Sequence, residues 1–71
     1  MRAARCEITK EEYEEIKLHT SYELERWLGA HRKEIATMWA AYWVYRVWAA
    51  KEKHEGETKY WIYAHIGDCC D

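Results

Sequence analysis

The chain has 71 residues, no Pro, no Phe, five Trp and six Tyr. That is one domain at most, and one that buries only about 60% of the surface its unfolded form exposes. The formal net charge of −2 counts against a protein that grips nucleic acid through phosphate contacts alone. Cys6, Cys69 and Cys70 are odd in number and partly adjacent, a poor disulfide framework. No apolar run follows Arg2 and Arg5, so no signal peptide is expected. The setting read from this is cytoplasmic and reducing, with free thiols.

Residues 1–71 are expected to form a single domain, with 1–8 as an N-terminal segment. A helix is predicted over 9–18. Thr9 and Glu12 have the spacing of a capping box, and Ile8 and Tyr13 that of a hydrophobic staple. Acidic residues crowd its start, where the helix dipole favours them. A second capping box, Thr20 with Glu23, predicts a restart and a helix over 21–29. Leu24, Trp27 and Leu28 line one face of it, and Gly29 stands at its end or in a bend.

Residues 32–54 are predicted as one long helix. Ile35, Met38, Trp39, Tyr42 and Tyr45 form one stripe at helical spacing. Ala36, Ala40, Trp43, Val47 and Ala50 form a second, and Ala41, Val44 and Trp48 a third. A helix apolar nearly all round belongs in the middle of a structure. Gly56 is read as its stop. Residues 58–66 alternate, with Tyr60, Ile62, Ala64 and Ile66 opposed to Lys59, Trp61, Tyr63 and His65, which predicts a strand. Its pairing candidates are residues 3–8, a second copy, or a partner's strand. Residues 67–71 are read as a tail. The fold class expected is mainly α: a small helical domain with a long aromatic central helix and a C-terminal strand, and a small two-stranded sheet, α+β, if 3–8 pairs with it.

One stripe of such a helix stays uncovered by the rest of the chain, and contiguous apolar patches usually mark interaction sites. The function expected is therefore non-enzymatic protein–protein interaction. It would be an adaptor or a phage-type inhibitor, anti-CRISPR-like, that docks on a larger protein or pairs with itself as a homo-oligomer. Trp39, Tyr42, Trp43, Tyr45, Arg46 and Trp48 are the candidate contact residues, being of types that dominate interface energetics. The acidic patch of Glu11, Glu12, Glu14 and Glu15 fits the inhibitor reading by imitating a nucleic-acid backbone; helix capping accounts for the same residues without it. No membrane contact is expected, because the uncharged run Ile35–Tyr45 is shorter than a span and Arg46 interrupts it.

The alternative is DNA binding. Residues 23–38 resemble a helix-turn-helix segment, with Leu24, Leu28, Gly29, Ile35 and Met38 in the pattern and Glu25 departing from it. The resemblance implies a transcriptional regulator presenting His31, Arg32, Lys33 and Thr37 to a major groove. Lys59, Trp61, Tyr63 and His65 also form a face on which single-stranded bases can stack. Cys6, His65, Cys69 and Cys70 lack the paired spacing of a zinc site. Ser21 lies in no nucleophile motif, and a Cys–His pair on a tail lacks an oxyanion device. No metal, cofactor or catalytic residue is expected.

Overall fold

The computed structural model describes residues 2–67. The chain runs β1 (Arg2–Ile8), α1 (Lys10–Ile16), α2 (Ser21–His31), α3 (Lys33–Ala40), β2 (Trp43–His54) and β3 (Glu57–Gly67). The strands form one antiparallel sheet in the order β1-β3-β2. The three helices cross from one edge strand to the other over a single face of that sheet, giving an α+β fold of two layers.

Both capping boxes form. Thr9 Oγ1 accepts the Glu12 N–H at 3.1 Å, and Glu12 Oε1 accepts the Thr9 N–H at 2.9 Å. Thr20 and Glu23 repeat the arrangement at 3.2 and 2.9 Å. Each satisfies donors that a helix start leaves orphaned, and a lost cap of this kind costs about 1 kcal/mol. These starts aim Ile16 from α1 and Leu24, Trp27 and Leu28 from α2 at the sheet. There they meet Ile8, Val47, Ile62, Ala64 and Ile66, with Trp39 of α3 completing the core. Ile16, Ile62 and Ala64 are sealed from solvent. Side chains of the Ile and Leu class each contribute about 1.5–3 kcal/mol by such burial.

The long central helix does not form, and the fold is not mainly α. Residues 33–40 are helical, but α3 ends in a tight turn in which the Ala41 N–H reaches the carbonyls of Met38 and Trp39. Residues 43–54 then run as β2, paired with β3 from Trp43↔Gly67 to His54↔Glu57. Two forces override the helical reading. Trp43, Val44, Tyr45, Val47 and Trp48 are β-branched or aromatic, types that pack well on a pleated surface. The central strand β3 also has two edges to satisfy, and β1 covers only one, from Arg2↔Ile66 to Ile8↔Tyr60. Gly56 (φ 79°) stops no helix. With Glu55 (φ 52°) it makes the two-residue turn of the β2–β3 hairpin, where both central residues need positive φ. Gly29 lies inside α2, and the break before α3 falls at Arg32. The strand predicted over 58–66 forms with the predicted alternation, and residues 3–8 are among its partners.

A candidate protein-docking face on the open side of the sheet

In a strand, alternate residues point to opposite faces. Ala4, Cys6, Ile8, Val44, Val47, Ala49, Tyr60, Ile62, Ala64 and Ile66 pack towards the helices. Their neighbours therefore point the other way, where none of α1, α2 and α3 lies. At the centre of that open face, Trp48 of β2 stacks on its cross-strand partner Tyr63, centroids 5.6 Å apart and planes inclined by 13°. His65 meets the edge of the same indole at 4.8 Å. Arg46 lies over the Trp48 ring at 5.5 Å, and Arg5 of β1 lies over Trp61 at 4.1 Å. Cross-strand and cation–π contacts of this kind hold each ring in place at about 0.5–1 kcal/mol apiece. Trp48, Trp61 and Tyr63 are half-buried, and His65 is exposed.

Glu52 ties the platform together, accepting the Tyr63 hydroxyl at 2.7 Å and facing the Arg5 guanidinium at 3.8 Å. The charges on this face alternate in sign. Arg5, Arg46 and Lys59 stand against Glu7, Glu52 and Glu57.

The six contact candidates read from the sequence are divided among environments. Trp39 is in the core and Tyr42 packs against it. Arg46 and Trp48 belong to the open face. Trp43 and Tyr45 are exposed, at 59% and 51%, at the start of β2 and at its bulge. Arg5 escaped the sequence reading, although the alternation of Ala4, Cys6 and Ile8 against Arg5 and Glu7 places it on the open face once β1 is read as a strand.

The acidic patch is largely engaged within the fold. Glu12 takes the Arg32 guanidinium, Glu14 takes Lys17 Nζ at 2.6 Å, and Glu15 accepts the Trp27 indole N–H at 2.5 Å. The Lys17 ammonium and its hydrogen bond hold the Glu14 carboxyl below its usual range, and Glu14 raises Lys17 in return. Of the groove-reading set, His31 stacks on Trp27 at 4.7 Å, Arg32 is held by Glu12, and Lys33 and Thr37 are exposed on α3. The turn that a helix-turn-helix needs at Gly29 is continuous helix here.

Cys6 faces the helices, whereas His65 lies on the open face, so the sheet separates these two members of the zinc set. Cys69 and Cys70 lie outside the described residues, as does the tail beyond Gly67. Burial pushes the Cys6 thiol up, the opposite of an activated nucleophile. Among the described residues no helix is long and apolar enough to cross a membrane.

No protein-family model matches this chain, and no curated protein or solved structure is significantly similar to it.

Proposed function

We propose that this chain is a non-enzymatic binding protein that docks on a larger protein through the open face of its sheet. The observation that carries the reading is the Trp48–Tyr63 stack, held in place on a face that, among the described residues, no helix covers. Rings fixed before binding lose little freedom on binding, and Trp, Tyr and Arg are the residue types most often dominant at interfaces.

The mixed charge of the face favours protein over nucleic acid. A surface that tracks phosphates is of one sign, because affinity comes from neutralising them. Here Glu7, Glu52 and Glu57 would each repel a phosphate. A molecule of this size with one such face suits an inhibitor or an adaptor. Self-association through an aromatic helix is not part of the reading, since residues 43–54 are a strand.

The test is capture by the immobilised full chain from an extract of cells that carry its gene. A protein retained by the wild type and lost with Trp48→Ala and Trp61→Ala combined, while circular dichroism stays unchanged, supports the reading. Retention unaffected by the double variant sinks it.

A further inference from the structure

With β3 in the middle, the sheet has two outer edges, β1 and β2. The β2 edge is guarded, because Ser21 takes the Val47 N–H and Lys51 and Lys53 place charge beside it. The β1 edge has no such guard. It pairs with β3 without a register shift from Arg2↔Ile66 to Ile8↔Tyr60. Among the described residues no helix side chain bonds to its backbone. The register also fixes which of its peptide groups point outward. Val47 turns its N–H away from β3 towards Ser21, so the residue opposite it, Ala64, bonds to its other neighbour, Ala4 of β1. Arg2, Ala4, Cys6 and Ile8 thus bond inward. Ala3, Arg5 and Glu7 leave their N–H and C=O groups on the outside, and all three residues are exposed.

We propose that this edge pairs with a second copy of the chain, β1 antiparallel to β1 about a two-fold axis at Cys6. With both helix layers on the same side, residues of like face oppose each other. Centred on Cys6, Arg5 meets Glu7 of the second copy on both sides of the axis, and each pair exchanges both of its backbone bonds. Opposite charges directly across a ladder stabilise it. Centred on Arg5, two guanidinium groups would oppose each other, and centred on Ala4, Glu7 would have no cation opposite. The charges are available for this pairing. Among the described residues Glu7 has no ion-pair partner, and Arg5 faces Glu52 only at 3.8 Å. Any extended strand can use the outer peptide groups, but the Arg5–Glu7 pattern is complementary to itself, which selects a second copy. The pairing joins two open faces into one continuous sheet and does not depend on the docking function above.

The test uses the full chain with Cys69→Ser and Cys70→Ser, followed by light scattering at about 0.1–1 mM and by oxidation with diamide. A mass twice that of the chain is expected. A disulfide between the two Cys6 residues should trap the dimer, since the axis makes them a close, non-hydrogen-bonded pair. Glu7→Lys should weaken dimerisation about tenfold or more, and so should Arg5→Glu. Mixing these two variants should restore it, because every charge pair across the axis is then of opposite sign. Circular dichroism checks the fold of each, and Glu7→Lys, at an exposed position, carries the test alone if Arg5→Glu unfolds. A monomer throughout the concentration range overturns the proposal. So does a dimer that diamide fails to trap, one indifferent to Glu7→Lys, or folded variants that do not recover on mixing.

Discussion

Arg32 and Glu12, twenty residues apart, meet with Nη2 2.6 Å from Oε1 and 2.5 Å from Oε2 of the carboxylate. Glu12 is also the residue that closes the capping box on Thr9, and Arg32 is the link between α2 and α3. One carboxylate thus fixes the start of α1 and the corner where the next two helices turn. The side chains are 34% and 19% exposed, so the pair is shielded more than an ordinary surface ion pair. Arg32→Ala is expected to cost about 1–2 kcal/mol in urea unfolding followed by Trp fluorescence. Glu12→Gln keeps a capping-box residue and loses only the ion pair, so the two changes combined should cost less than the sum of each alone. Strict additivity would mean that the pair is not coupled in solution.

Ser21 protects a sheet edge. Its Oγ accepts the Val47 N–H at 2.9 Å, so this donor of the edge strand β2 is not available to an added strand. Further along, Lys51 and Lys53 put charge on the same edge, a usual obstacle to strand addition. Ser21→Ala leaves a part-buried amide without a partner and should cost about 1–2 kcal/mol. The Val47 amide should also exchange with deuterium faster than its neighbours. Unchanged protection at Val47 would show that the bond is not formed in solution.

Two glycines should respond oppositely to alanine. At Gly29, inside α2, an added Cβ meets nothing within 4 Å, so Gly29→Ala gains helix propensity and should stabilise by about 0.5–1 kcal/mol. Gly56 also has open space, but its φ of 79° disfavours any side chain, and Gly56→Ala should destabilise by about 1 kcal/mol. Glu55, at φ 52°, is the companion case. Glu55→Asn should stabilise by a few tenths of a kcal/mol, because Asn tolerates that conformation better. Thermal melts of the three variants test the set, and a stabilising Gly56→Ala would contradict the turn assignment.

Where local chemistry decides, the sequence is legible. Both capping boxes and the alternation of β3 are written in side chains that act on their own neighbours. The residues of β2 mislead for a physical reason. The pairing with β3 is irregular between Val44 and Arg46, which makes room for an extra residue at Tyr45. Val44 and Val47 therefore face the same core from three positions apart, the spacing of a helix rather than a strand. Trp48 and Ala50 on the other face fill the gaps in the pattern, so a strand with aromatic or small residues on both sides resembles a helix buried all round. The turn was hidden likewise, because Glu-Gly is a weaker hairpin signal than Asn-Gly or Asp-Gly. Of the open face, Lys59, Trp61, Tyr63 and His65 stand out by alternation alone. Their alignment with Trp48 and Arg5 depends on strand pairing, which no local pattern specifies.

Cys6 makes the fold sensitive to alkali. It faces the helices, and its thiol is raised above the ordinary range chiefly by burial and secondarily by the Glu12 charge, against the lowering influence of Arg32. The unfolded chain therefore loses this proton first as pH rises. Stability from this group is fully present below the ordinary thiol pKa and is lost as pH climbs through the higher folded value. Melting temperatures compared between pH 7 and pH 10 should fall more in a Cys69→Ser, Cys70→Ser background than in the same background carrying Cys6→Ala. At pH 8, iodoacetamide should modify Cys6 more slowly in the folded chain than in urea, because the reactive thiolate is scarcer and the sulfur less accessible. Equal alkylation rates in the two states would mean that the thiol is not held against the helices in solution.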